Sequence, residues 1–193
     1  NSRNYDYSIG CYIIRIRIYI IMNESCVRIY DNVVSDQWCK DTIKSYENSR
    51  ADHYRNGHKE FNMLEIRDLP EWQDTREKFV NLMLTYMGNF MKDVNIDTKH
   101  FTKDIDIEHI TIKKYTDNGK DKFGEHVDVI EPVFTAKRFL VFILYLSDCE
   151  GGETCIPRYN IKSQPKQGRL LMFPPYWTHP HNGEKVKKGN KYV

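Results

Sequence analysis

The carboxyl-terminal half of the chain contains many short β-like segments, and this pattern limits the possible folds most strongly. Residues 107–115 alternate between two faces, and residues 139–146 form an apolar run rich in β-forming side chains. Further short strands are predicted at 154–156, 169–173 and 191–193. The segments are separated by turn signals at Asp117-Asn118-Gly119, Glu150-Gly151-Gly152, Gln167-Gly168, Pro174-Pro175, Asn182-Gly183 and Gly189-Asn190. Short strands at this spacing are typical of a β-sandwich or a barrel.

The amino-terminal half is predicted to contain the helices. The predicted order is a strand at 26–30, a helix at about 35–47 capped by Ser35, a polar loop at 48–59, a strand at 61–66 and a long helix at about 71–92. The long helix carries a Met and aromatic stripe, which is typical of a face packed against a core. Because helices come first and strands later, the sequence predicts an α+β class.

Length and composition fit one globular domain. The chain has 193 residues, of which 40% are hydrophobic, and its formal net charge is +2. This composition excludes disorder, and the charge supports neither a nucleic-acid nor a membrane partner. We assign residues 22–193 to a single domain, with the part before 107 as support and 107–193 as the β core. Residues 1–21 are predicted to be either an upstream extension or an extra strand, and the oligomeric state is unknown.

The cysteines indicate a reducing compartment. There are five of them, an odd number, and no two form a CxxC pair. Their spacing matches no zinc site or disulfide framework. Reduced thiols, and therefore a cytoplasmic location, are the simplest interpretation.

His126 and Asp128 predict a metal site in the β core. They are two positions apart, so both side chains project to one face of an extended segment. Two imidazoles and one carboxylate can hold Fe(II) on three adjacent coordination positions. The second imidazole must come from further along the chain, where strand alternation does not separate His179 from His181. A charged surface loop is the alternative interpretation of the segment around His126.

Lys191 differs from the other lysines near the carboxyl terminus. It follows a turn signal and begins a predicted strand, whereas the others fit solvated positions around a turn. An ammonium group directed into a barrel is costly unless it is paired. The ammonium group is a compact point charge, and a small dicarboxylate could pair with it.

From about Ile107 onward, the sequence resembles the prolyl 4-hydroxylase-like branch of the 2-oxoglutarate- and iron-dependent dioxygenases. The matching positions stand in family order and are Tyr115, Gly119, His126-Val127-Asp128, Arg138, the YLSD segment at 145–148, the GGET segment at 151–154, residues 168–173, His181 and Lys191. The family places its last histidine ten positions before the lysine. His181 fits that spacing, and His179 does not.

The resemblance implies the fold, the site and the cofactors. The implied fold is an α+β double-stranded β-helix (jelly-roll) barrel with supporting N-terminal helices. The implied roles are Fe(II) binding by His126, Asp128 and His181, and binding of the distal carboxylate of 2-oxoglutarate by Lys191, with Tyr115 and Thr154 beside it. The metal ligands and Lys191 form the implied catalytic set. Ascorbate is a further cofactor in this expectation.

The implied reaction hydroxylates an unactivated carbon and converts 2-oxoglutarate into succinate and CO2. A peptidyl proline is the candidate target, and the sequence does not identify whether the substrate is a peptide or a small molecule. One alternative is a metal-binding cupin-like β-barrel that is not an oxygenase, and another is a catalytically silent fragment. Lys191 and the GGET segment argue against the cupin-like module, because such a module requires neither.

The sequence leaves two alternative roles open for each of two further residues. Arg138 either orients the substrate or forms a structural salt bridge, and Trp177 either borders the mouth of the site or packs.

The family also continues its last strand beyond the lysine, whereas here only Tyr192 and Val193 follow. We therefore expect an exposed sheet edge, and a higher melting temperature when that strand is restored.

Overall fold

Two α-helices and thirteen short strands make up the described part of the chain. This computed structural model describes residues 25–49, 53–55, 61–101, 105–131 and 133–193, so the predictions for residues 1–21 lie outside the described residues. The helices are α1 (Asp36–Asn48) and α2 (Gln73–Asp93). The strands are β1 (Arg28–Tyr30), β2 (Tyr54–Arg55), β3 (Asn62–Glu65), β4 (Thr111–Thr116), β5 (Phe123–His126), β6 (Val141–Tyr145), β7 (Glu150–Gly151), β8 (Thr154–Ile156), β9 (Ile161–Ser163), β10 (Arg169–Phe173), β11 (His181–Gly183), β12 (Val186–Lys188) and β13 (Asn190–Tyr192). Within these ranges, no helix is long and apolar enough to cross a membrane.

Local sequence explains where both helices begin. The Ser35 hydroxyl accepts a hydrogen bond from the backbone N–H of Trp38 (3.3 Å), which caps α1 as predicted. The long helix α2 begins at Gln73, slightly later than the pattern predicts, because a 3-10 turn at Pro70–Trp72 comes first. Proline suits the first turn of a helix because it lacks an N–H that would have no partner there.

The strands form four antiparallel sheets. Their orders are β1-β10-β6, β5-β11-β8-β9, β12-β7 and β13-β4-β3-β2. Antiparallel sheets of short strands fit a jelly roll. Among the described strands, however, these ladders stay separate and do not close into the continuous barrel that the resemblance implies.

Strand pairing overrides three of the sequence predictions. Part of the predicted loop at 48–59 forms the short strand β2, which pairs with β3. Asn182 and Gly183 were expected in a turn but lie within β11, because hydrogen bonds to β5 on one side and β8 on the other hold them extended. Glu150 and Gly151 likewise form β7 against β12.

Strand β4 separates the helical layer from the site. Ile112 on one face joins the main core cluster with Phe90 of α2, and the ammonium of neighbouring Lys114 lies 2.8 Å from the Glu47 carboxylate of α1. Tyr115 projects to the opposite face and packs in a second cluster. Alternation along one strand therefore fixes which side chains reach the helices and which reach the site.

Candidate active site

His126, Asp128 and His181 lie together at the ends of two paired strands. His126 ends β5 and His181 begins β11, and the two are direct partners in the antiparallel ladder. Asp128 follows two residues after His126. Its two carboxylate oxygens each lie 3.6 Å from the Nε2 atom of one histidine, and the three possible ligand atoms lie within 4.8 Å of one another. The structure thus brings His181 to two residues that lie much earlier in the sequence.

Backbone carbonyl groups orient both imidazoles toward this cluster. The Nδ1 atom of His126 donates to the carbonyl oxygen of Gly124 (2.8 Å), and the Nδ1 atom of His181 donates to that of His179 (3.0 Å). Each Nε2 lone pair is therefore directed at the cluster, as metal-ligating histidines require. Phe123 stacks on the His126 ring at a centroid distance of 3.9 Å, which fixes the ring further.

His179 takes a different direction from His181. Its Nε2 atom donates to the carbonyl oxygen of Ser25 (2.5 Å), and its ring lies 5.1 Å from that of Tyr159. Residue 179 precedes β11 and follows a turn, so strand alternation does not apply to the pair. The structure therefore separates the two histidines that the sequence pattern alone could not.

The charges of the cluster suit metal binding. Burial alone would raise the pKa of Asp128, but the nearby His126, His181 and Lys113 outweigh it, so this pKa lies below its usual value. Burial lowers the pKa of His181, and the Asp128 carboxylate offsets this only in part. An ionised carboxylate and neutral imidazoles are the states that bind a metal ion. The donor set therefore fits Fe(II).

Lys191 is a buried ammonium group beside the cluster. Only 3% of the residue is exposed, and its Nζ atom lies 5.0 Å from the ring centroid of Tyr115 and 5.5 Å from that of Tyr145. Burial lowers its pKa to about 8. Within the described part of the chain, no carboxylate lies close enough to form an ion pair with it. Such a charge is a ready partner for a small anion.

Tyr145 was not identified in the sequence analysis as a site residue. It is fully buried, and its hydroxyl donates to Thr154 Oγ1 (2.7 Å) and lies 3.3 Å from the carbonyl oxygen of Ser163. Burial raises its pKa to about 12, so it remains a neutral hydrogen-bonding group. Its ring also faces Lys191. The only sequence signal was its place in the YLSD segment, since an apolar strand does not reveal which face its tyrosine occupies.

The family comparison covers the segment of the chain that contains this site. Residues 110–193 match the family model described as the 2OG-Fe(II) oxygenase superfamily. This segment belongs to that superfamily. The match supports a 2-oxoglutarate-dependent dioxygenase that uses Fe(II), as the resemblance implied. The cupin-like alternative is not favoured.

Solved structures show the same fold for the oxygenase. The viral collagen prolyl hydroxylase vCPH from Paramecium Bursaria Chlorella virus-1, in complex with 2OG, is 18% identical with a TM-score of 0.64, over 86% of this chain and 90% of that one. A prolyl hydroxylase from Trichoplax adhaerens, in complex with a hypoxia inducible factor peptide fragment, is 14% identical with a TM-score of 0.64, over 98% and 91%. A Pseudomonas putida prolyl-4-hydroxylase is 12% identical with a TM-score of 0.62, over 91% and 92%. No curated protein matches the sequence of the chain.

Arg138 supports the segment of the oxygenase that carries Asp128. Its Nη1 atom donates to the backbone carbonyl oxygen of Asp128 (2.7 Å), while its Nε atom contacts the Glu108 carboxylate at 2.8 Å. The backbone N–H of Asp128 also donates to the carbonyl oxygen of Pro175 (3.1 Å). These contacts favour the structural interpretation of Arg138. Trp177, in contrast, is 73% exposed and does not pack into the core.

Proposed function

We propose that this oxygenase hydroxylates a prolyl residue of a peptide and converts 2-oxoglutarate into succinate and CO2. The observation that carries the proposal is the His126, Asp128 and His181 cluster beside the buried ammonium of Lys191. The fold likeness to three prolyl hydroxylases, one of them in complex with a peptide, supports the choice of substrate. Each part of the proposal assigns a task to particular side chains.

His126, Asp128 and His181 are proposed to hold Fe(II). Bound Fe(II) supplies the oxygen chemistry that couples decarboxylation of 2-oxoglutarate to hydroxylation of the substrate. The side chains contribute a fixed arrangement, in which the two histidines lie on paired strands and Asp128 follows the end of β5. The backbone acceptors at Gly124 and His179 keep both rings in the ligating tautomer.

Lys191 is proposed to bind the distal carboxylate of 2-oxoglutarate. The buried ammonium would gain a partner of opposite charge, which offsets its desolvation. Tyr115 lies directly across the ladder from Lys191 and is proposed to offer its phenol as a further donor. Thr154, which accepts a hydrogen bond from Tyr145, completes the polar side of the proposed pocket.

Exposed apolar side chains border the site and support a peptide substrate. They lie on two segments, and they are Ile130 (76% exposed), Val133 (62%), Phe134 (78%) and Trp177 (73%). Hydrogen bonds from the N–H groups of Asp128 and Val129 to the Pro175 carbonyl oxygen join these segments next to the metal cluster. Exposed apolar surface beside a polar site often marks a binding surface. Rings of proline and neighbouring apolar residues would pack against it.

Turnover of matched peptides tests the proposal. Succinate formation is measured with Fe(II), 2-oxoglutarate and a proline-rich peptide, with and without ascorbate, and mass spectrometry locates the added oxygen. The control peptide carries alanine in place of each proline. We expect hydroxylation of the proline peptide only, with its loss in His181→Ala. Equal succinate formation with both peptides would refute proline as the target while leaving the oxygenase class intact.

The complete fold, the cellular compartment, the domain bounds and the role of ascorbate stay proposals. The antiparallel pairing supports a complete double-stranded β-helix with helical support, without showing barrel closure. Cys26, Cys39, Cys149 and Cys155 are free thiols, which supports a reducing compartment. A single domain over residues 22–193 and a role for ascorbate also stay predictions.

A further inference from the structure

Lys113 is a second ammonium group beside the metal cluster, and the proposed mechanism does not use it. The residue is partly buried, and its Nζ atom lies 5.2 Å from the ring centroid of Phe123 and 5.4 Å from that of Phe61. Phe123 in turn stacks on His126. Across the described ranges, no carboxylate forms an ion pair with Lys113. The negative charge that raises the pKa of Lys113 is the carboxylate of Asp128.

Strand alternation places Lys113 and Lys191 on the same side of their sheet. Lys113 and Tyr115 are two positions apart on β4 and therefore share a face. Tyr115 is the direct partner of Lys191 on β13. The backbone of Lys113 is held by reciprocal hydrogen bonds with Val193, at 2.7 and 3.0 Å. Two ammonium groups therefore face the site from neighbouring strands.

The charge balance favours a carboxylate beside Lys113. Asp128 is the one acidic residue of the metal cluster, and a divalent metal more than neutralises it. Lys113 and Lys191 each add a positive charge close by. A dicarboxylate bound at Lys191 and the metal still leaves the site net positive. A desolvated positive charge is stabilised when an anion pairs with it.

We propose that Lys113 binds a carboxylate in this active site and is a second anion-recognition residue beside Lys191. The inference rests on the proposed function, because the ligand is one that the reaction brings to the site. Two carboxylates can supply this chemistry. One is the keto-acid end of 2-oxoglutarate, and the other is an acidic group of the peptide near its target carbon.

Binding measurements separate the two sources. Lys113→Met removes the charge and keeps an apolar stem between the aromatic rings, while Lys113→Arg keeps the charge. Lys114→Met is the matched control, because Lys114 is adjacent on β4 but pairs with Glu47 on the helical face. Binding of 2-oxoglutarate is measured by calorimetry without oxygen, on metal-free and Fe(II)-loaded proteins. Circular dichroism verifies folding, and Lys113→Gln replaces the Met variant if the latter does not fold.

The outcomes are distinct. A drop in 2-oxoglutarate affinity of about tenfold or more in Lys113→Met, restored by Lys113→Arg, supports the cosubstrate as source. Unchanged 2-oxoglutarate binding, with a similar rise in KM for acidic peptides but not neutral ones, supports the peptide as source. No change in either measurement, or an equal change in Lys114→Met, overturns the proposal. The calorimetry needs no turnover, so failure of the proposed prolyl hydroxylation is recognised separately.

Discussion

Replacing Lys191 by methionine should stabilise the ligand-free protein and weaken 2-oxoglutarate binding. Burial lowers the pKa of this ammonium from 10.5 to about 8. Each pKa unit corresponds to about 1.4 kcal/mol, so the charged form costs the ligand-free fold about 3 kcal/mol. Methionine has a similar length and carries no charge. We expect the free energy of unfolding at pH 7 to rise by up to about 3 kcal/mol in Lys191→Met.

This stability difference should depend on pH in a defined direction. Burial lowers the pKa of Lys191, and Lys113 lowers it further, whereas the thiolate forms of Cys149 and Cys155 and the carboxylate of Glu153 raise it. Below pH 8 the lysine is charged in both states, so the full destabilisation is present. Between about pH 8 and 10.5 the unfolded chain binds more protons, and the stability of the wild-type protein rises. The difference between wild type and Lys191→Met should vanish above that window.

The Lys191→Met substitution should weaken the binding of 2-oxoglutarate, although it stabilises the ligand-free protein. Loss of one partner of a buried charge pair costs about 2–4 kcal/mol, which corresponds to roughly 30- to 1,000-fold in affinity. Calorimetry on the Fe(II)-loaded protein without oxygen measures the affinity, and urea unfolding of the metal-free protein measures stability. If Lys191→Met destabilised the ligand-free protein, or bound 2-oxoglutarate as tightly as wild type, the reasoning about a buried unpaired ammonium would be wrong.

Three further predictions concern the metal segment and strand β7. Asp128→Ala removes the anionic ligand and should abolish succinate formation; full activity would contradict the metal assignment. Arg138→Gln removes the support of the Asp128 carbonyl and should weaken Mn(II) binding about tenfold, measured by titration against Lys137→Gln as the control. Gly151 has a φ of +75°, and an added Cβ would lie 2.6 Å from the Lys185 carbonyl oxygen. Gly151→Ala should therefore lower the free energy of unfolding by about 2 kcal/mol, measured in urea.

Sequence signals predicted those elements that depend on local chemistry. The cap at Ser35 and the strands at 154–156 and 169–173 follow from residue type and alternation, and the structure has them where predicted. Strand β11 was missed because Asn182 and Gly183 favour turns locally, whereas its extended form comes from pairing with two other strands. Long-range pairing has no local signature.

In the site, too, local sequence patterns predicted some residues, whereas the positions of others depend on long-range pairing. The spacing of His126 and Asp128 predicted that they share a site, and the family resemblance selected His181. The roles of Tyr145 and Lys113 depend on which face of a strand meets the cluster, and several strands determine that together. Alternation with Tyr115 could have indicated Lys113, since a lysine on the same face as a predicted site residue is unusual in a core strand.

One residue pair of the β5–β11 ladder sets the spacing of the two imidazoles that are proposed to bind iron. His126 and His181 face each other as direct partners, with both rings already held by backbone carbonyls. Folding therefore assembles most of the coordination geometry before any ion arrives. We therefore expect the proposed iron site to lose and rebind its ion without reorganising the backbone, whereas a slip of β11 by one residue would turn the imidazole of His181 to the wrong side and destroy the centre.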